Sequence, residues 1–181
     1  MSQLFGDGAP AAAPVLTSRQ AEILSLVALG HTDHRVGREL VLSIHTVKTH
    51  LRRIRSRIGV SPREAMVGVS YRRGLLPLPS LPDGQRPAVP ARTLFAMSVR
   101  AEGRKIRDAA SALGITSSTA SGYVWGTLQD LGATDRAHGV HLLYAWRLLP
   151  IDSPPSDVGC VGSPTPMADE CTACPETGAS A

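Results

Sequence analysis

The sequence has few aromatic residues and few cysteines. Only seven of its 181 residues are Phe, Trp or Tyr, so Ala, Val, Leu and Ile must build most of the core, which suits small helices better than a β-sandwich. The three cysteines all follow residue 159, and this excludes a disulfide framework. Cys171 and Cys174 have zinc-ligand spacing, but a zinc site needs four ligands and only Cys160 lies nearby. We therefore predict no metal.

Long apolar runs and catalytic motifs are missing too. No run approaches the roughly 18 residues of a membrane helix, and the N-terminus lacks a basic-then-apolar signal sequence. We therefore expect a cytoplasmic protein without membrane contact. No Gly-rich phosphate loop, nucleophile elbow or paired-carboxylate arrangement occurs. These absences predict no enzyme activity and no cofactor.

Charge is distributed unevenly along the chain. Residues 15–76 hold 11 Lys/Arg against 4 Asp/Glu, a net charge of +7, and residues 89–149 hold 7 against 4, a net +3. Residues 150–181 hold five acids and no Lys or Arg, a net −5. A basic body with an acidic tail is typical of a protein that binds a polyanion, although an ordinary soluble surface fits the charge equally well.

Proline-rich segments divide the chain into two modules. Residues 1–14 predict a disordered lead-in and residues 150–181 an acidic disordered tail. Five prolines between residues 77 and 90 cannot propagate a helix, so we predict a Pro-rich linker over 77–88. The modules are then residues 15–76 and 89–149.

The two modules resemble each other. A shift of 73 residues places Leu40 over Leu113 and Thr46 over Thr119, and it runs without gaps from about residue 26 to 76. We interpret this as an internal duplication. Each copy predicts four helices, so the expected fold class is all-α, with two tandem helix-turn-helix modules. The cap residues predicted in the first copy are Thr17, Gly30, Thr32 or Asp33, Ser43, Gly59 and the Ser61–Pro62 pair.

The third predicted helix, Ile44 to Arg57, carries the chemistry. At 3.6 residues per turn an apolar stripe lies on one side and polar or basic side chains on the other. This arrangement fits a major-groove reader, although periodicity alone fits an ordinary solvated surface helix as well. Ser43 lies at the helix N-terminus, where backbone N–H groups can hold a phosphate. The stripe consists of Val47, Leu51, Ile54 and Ile58, and the opposite face of His45, Thr49, Arg52 and Ser56.

The segment from Leu16–Thr17 through Thr46-Val47-Lys48-x-His50 to Gly59–Val60 closely resembles the LuxR-type helix-turn-helix family over about 60 residues. The resemblance implies a sequence-specific transcriptional regulator that binds double-stranded DNA. It implies that the positions of Lys48, Thr49 and Arg52 face base edges. It also implies that Thr46, His50, Arg53 and Arg57 lie near phosphates, and we add Ser43 and Arg35 as phosphate candidates.

The second copy keeps the apolar stripe of its third helix but loses the basic face. Lys48 aligns with Ser121 and Arg52 with Trp125. Trp125 marks either a protein contact or a packing contact with the linker or first module. The fourth helix is apolar on many sides, and in LuxR-type domains this helix is the usual dimer contact. We therefore expect pairing of the two copies within one chain, as a pseudo-dimer, or a homodimer, with Trp125, Tyr144 and Trp146 as interface candidates.

Two other functions fit the same sequence. A sigma-factor-like module that docks on RNA polymerase shares the helix-turn-helix. An adaptor that binds another regulator through the second module would explain the missing charge there, but it leaves the basic face of the first module unexplained.

Overall fold

The computed structural model describes residues 16–151, and the regular structure in that range is entirely helical, which confirms the predicted all-α class. The predicted lead-in and all but the first two residues of the predicted acidic tail, including its cysteines, lie outside the described residues. The helices are α1 (Ser18–Ala28), α2 (Asp33–Glu39), α3 (Ile44–Ile58), α4 (Arg63–Arg72), α5 (Ala91–Ala101), α6 (Ile106–Leu113), α7 (Ser117–Asp130) and α8 (Arg136–Ala145).

Side-chain caps fix the starts of the first three helices. The Thr17 hydroxyl accepts from the Gln20 amide (3.3 Å), and the Gln20 side chain accepts from the Thr17 amide (3.1 Å). The Thr32 and Ser43 hydroxyls cap α2 and α3 by accepting from the backbone amides of Arg35 and Thr46. Gly59 ends α3 with φ +81°, a left-handed conformation that glycine adopts without steric cost.

The sequence predicts Ser61 as the N-cap of α4 and Pro62 as its first helical residue, and this prediction is wrong by one position. Pro62 occupies the N-cap position with an extended ψ of 143°, and no side chain caps the helix. The helix therefore begins one residue later, at Arg63. The Arg63 guanidinium donates to the Asp33 carboxylate (2.5 Å) and to the His31 carbonyl (3.0 Å), so a long-range contact holds this end in place.

The helices fall into a first half (α1–α4) and a second half (α5–α8) with the same plan. The second set begins at residues 91, 106, 117 and 136, and each start lies 73 residues after its counterpart. The caps of α3 and α7 also agree, because the Ser43 and Thr46 hydroxyls lie 2.8 Å apart and those of Thr116 and Thr119 lie 2.9 Å apart. An internal duplication would produce this agreement.

The halves pack together through α4 and α8. The rings of Tyr71 and Tyr144 lie 5.2 Å apart, and the Tyr71 hydroxyl hydrogen-bonds to Nδ1 of His141 (2.6 Å). Helix α4 also approaches α5 closely, because a Cβ on Gly68 would lie 2.5 Å from the Ala101 carbonyl oxygen. One continuous hydrophobic core therefore runs through both halves.

Ion pairs and the connecting segment add to this contact. Glu64 pairs with Arg100, and Arg72 pairs with Glu102 at 3.3 Å. In the segment between α4 and α5, the Pro79 carbonyl accepts from Arg147, which follows α8 (3.2 Å). Within residues 16–151, no helix is long and apolar enough to cross a membrane.

The contact between halves should make stability depend on pH. Burial lowers the pKa of His141 below its usual 6.5, and the neighbouring His138 lowers it further. Burial also lowers the pKa of His138, against the opposing charge of Asp135. Because the unfolded chain then binds more protons than the folded chain, stability should be full above about pH 7 and fall as the pH drops below 6.5. The urea concentration at half unfolding, compared between about pH 7.5 and about pH 5.5, measures this loss of stability.

A variant with His138→Gln and His141→Gln is the control for that prediction. It removes both titrating groups and retains polar side chains, so its urea midpoint should change less between the two pH values. An equal change in both proteins would contradict the assignment to these histidines.

The turn between α2 and α3 contains a strained residue. Val41 has φ +52° and is 91% exposed, whereas Gly114 holds the matching position between α6 and α7 with φ +64°. A left-handed residue with a Cβ costs about 1–2 kcal/mol. We expect Val41→Gly to stabilise the protein by about 0.5–1 kcal/mol and Gly114→Val to destabilise it by a similar or larger amount. Urea unfolding of both variants checks this, and a less stable Val41→Gly protein would contradict it.

Candidate nucleic-acid interface

Helix α3 is anchored by the apolar stripe that its periodicity predicted. The stripe packs on α1, α2 and α4, and burial of each such side chain contributes about 1.5–3 kcal/mol. This contact leaves the opposite side of the helix in solvent. The buried residues of α3 are Val47, Leu51, Ile54 and Ile58.

The exposed side of α3 is strongly basic. The helix has five Lys/Arg and no Asp/Glu. Lys48, Arg52 and Arg53 are exposed, and no carboxylate among residues 16–151 pairs with them. Unpaired cations on one face attract polyanions over a Debye length of about 10 Å at 0.1 M salt.

A basic residue that the sequence prediction left out belongs to the same face. Arg55 follows Lys48 and Arg52 at spacing i, i+4, i+7, so the three side chains form one row along α3. Arg55 is exposed, with no carboxylate partner in the described part of the chain. Its charge and spacing were the signal that would have found it.

The N-terminus of α3 offers a second kind of donor. The Ser43 hydroxyl accepts from the Thr46 backbone amide (3.0 Å). The other backbone amides of the first turn have no partner within the helix. Ser43 is exposed and Thr46 and Thr49 are half-buried. Such a helix start suits a phosphate oxygen.

The remaining phosphate candidates have other contacts. Arg57 donates to the buried Gln20 side chain (3.0 Å) and so ties the end of α3 to the start of α1. His50 is half-buried, and its Nδ1 atom has no hydrogen-bond partner among the described residues. Arg35 lies on α2, where its Nε atom is 3.8 Å from the Glu39 carboxylate. These candidates therefore come from two helices.

The three interface candidates have different surroundings. Tyr144 is buried against Tyr71 of α4, and Trp146 is half-buried. Trp125 points outward from α7 and is 64% exposed. It borders a groove of about 450 Å³ whose lining includes Arg63 of α4 and residues of α7 and α8.

The comparisons with known proteins concern the first half. The family model described as bacterial regulatory proteins, LuxR family (GerE), matches residues 14–69. The chain is 41% identical over 64 residues to a probable transcriptional regulatory protein NarL of Mycobacterium tuberculosis, which covers 35% of this chain and 30% of that protein. It is 43% identical over 61 residues to the transcriptional regulatory protein LiaR of Bacillus subtilis, covering 34% of this chain and 29% of LiaR.

A third relative is the HTH-type transcriptional activator RamA of Corynebacterium glutamicum. The identity is 36% over 62 residues, covering 34% of this chain and 22% of RamA. The chain therefore spans less than a third of the length of these relatives. No solved structure gives a significant match to the chain. By this match residues 14–69 form a LuxR-family helix-turn-helix domain, and α1, α2, α3 and most of α4 lie within this range.

Proposed function

We propose that the protein is a sequence-specific transcriptional regulator that binds double-stranded DNA by inserting α3 into the major groove. The observation that carries this proposal is the row of exposed cations on α3, unpaired with any carboxylate of residues 16–151, within a LuxR-family domain. An α-helix fits the major groove, where each base pair presents a distinct pattern of donors and acceptors. The names of the relatives, all transcriptional regulators or activators, support the same function.

The residues of the proposed interface divide by role. Lys48 and Arg52 offer donors to guanine O6 and N7, and Thr49 offers a hydroxyl and a methyl group to base edges. Contacts to phosphates supply affinity and register, whereas base contacts supply sequence choice. The proposed phosphate contacts are Ser43, Thr46, His50, Arg53, Arg57 and Arg35.

The second half has a supporting role in this proposal. It pairs with the first half through α8 and helps to keep α4 buried, and α7, its counterpart of α3, has no Lys or Arg. A regulator of this kind acts in the cytoplasm, associated with the nucleoid, and is not an enzyme. Contact with RNA polymerase or another regulator is a second candidate function, and the outward position of Trp125 favours it.

Arg52→Ala tests the assignment of base reading. Binding of the full chain to a selected site and to single-base variants of that site is measured by fluorescence anisotropy. Loss of a base contact should remove about 1–3 kcal/mol of discrimination at one base pair and leave the other positions unchanged. An equal loss of affinity on every sequence would contradict base reading by Arg52.

A further inference from the structure

Helices α3 and α7 hold equivalent places in the two halves, but they differ in charge. Helix α3 has five Lys/Arg and no acid, whereas α7 has no Lys or Arg and one acid, Asp130. Arg52 and Trp125 hold equivalent positions at the 73-residue offset. Of these two equivalent helices, only α3 can therefore offer cations to DNA phosphates.

A second copy of the chain that paired as the two halves do would have to bind α4, and α4 is already covered. Residues 64–71 of α4 are buried without interruption. Helices α1 and α3 of the first half cover part of α4. The second half covers the rest through α8, which packs Tyr144 on Tyr71, and α5, whose backbone at Ala101 leaves no room for a side chain at residue 68. Glu64 and Arg72 form ion pairs with the second half as well. Another chain cannot bind α4 unless the second half first leaves it.

We infer that one chain binds DNA without a second copy, with its two halves paired and α3 as the single helix that reads base pairs. Its target is then an asymmetric duplex element rather than an inverted repeat. The inference rests on the proposed DNA binding by α3. A two-fold symmetric site is matched by a protein with two equal reading helices, whose half-sites lie about 10 base pairs apart. This chain presents two unequal helices, and the covered α4 prevents the equal pair from forming.

Selection from a random duplex library with the full chain tests the inference. The expected motif is one uninterrupted element without two-fold symmetry, shorter than the roughly 10 base pairs between the centres of paired half-sites. Light scattering of the complex should give one chain per duplex. Recovery of an inverted repeat that holds two chains would overturn the inference while the proposed function stands. A chain that binds no duplex at low salt contradicts the proposed function and the inference together.

Matched variants distinguish the contributions of α3 and α7 to DNA affinity. On the selected element, Arg52→Ala should lower affinity at least about fivefold, since a base contact contributes about 1–3 kcal/mol. Trp125→Ala, at the equivalent position of α7, should change affinity less than about twofold, because α7 itself has no Lys or Arg to offer to a phosphate. Both side chains are exposed, so neither change disturbs the core. Equal losses from the two variants would mean that both helices contact DNA and would overturn the inference.

Discussion

Replacement of Lys48 and Arg52 together by alanine is expected to lower affinity for the selected duplex by at least about 30-fold. Each contact is worth about 1–3 kcal/mol, and 1.4 kcal/mol corresponds to a tenfold change in the dissociation constant. Both side chains are exposed on α3, so the variant should unfold at the same urea concentration as the unmodified protein. Fluorescence anisotropy with labelled duplex measures the affinity.

A double variant of the second half controls for the loss of net charge. Arg92 on α5 and Arg107 on α6 are also exposed, and their replacement by alanine removes the same two positive charges. Surface cations away from the contact act only through long-range attraction, which salt screens, so affinity should fall by less than about threefold at 0.15 M salt. Equal losses from the two double variants would show that net charge, and not the face of α3, determines binding.

Of the variants proposed for this protein, Tyr144→Ala is expected to lower the free energy of unfolding the most. The side chain is buried between α8 and α4 and stacks at a tilt on Tyr71. Removal of a buried aromatic ring costs about 3–5 kcal/mol, to which the ring pair contributes about 0.5–1.5 kcal/mol. Urea unfolding of the full chain gives the free energy difference.

Tyr123→Ala is the matched control for that variant. It makes the same chemical change on α7, where the side chain is only half-buried, so the cost should be near 1 kcal/mol. If both variants lost the same stability, the contact between α4 and α8 would not be the main support of the interface between halves.

Local patterns were enough to predict most of the first half. The i, i+4, i+7 spacing of the α3 stripe and the caps at Thr17, Ser43 and Gly59 depend on residues within a few positions of each other, and the structure has the helix ends where these signals predict them. The start of α4 was misplaced because Arg63 is held by residues 30 or more positions earlier. No local pattern reports such a contact.

The sequence alone does not determine which helix α8 packs on. Its apolar faces require a partner, but α4 of the same chain and a second copy of the protein would bury them equally well. In the structure α8 packs on α4 of the same chain. The additional bond from Arg57 to Gln20 was also unpredicted, since the two residues are 37 positions apart.

The salt dependence of binding to random duplex DNA tests the central claim, that the exposed face of α3 contacts DNA phosphates. Each neutralised phosphate lowers the logarithm of the binding constant by about 0.9 for each tenfold rise in salt. With about four cationic contacts from α3 and α2, the expected slope of the log–log plot is about −3 to −5. A flat response would contradict the account.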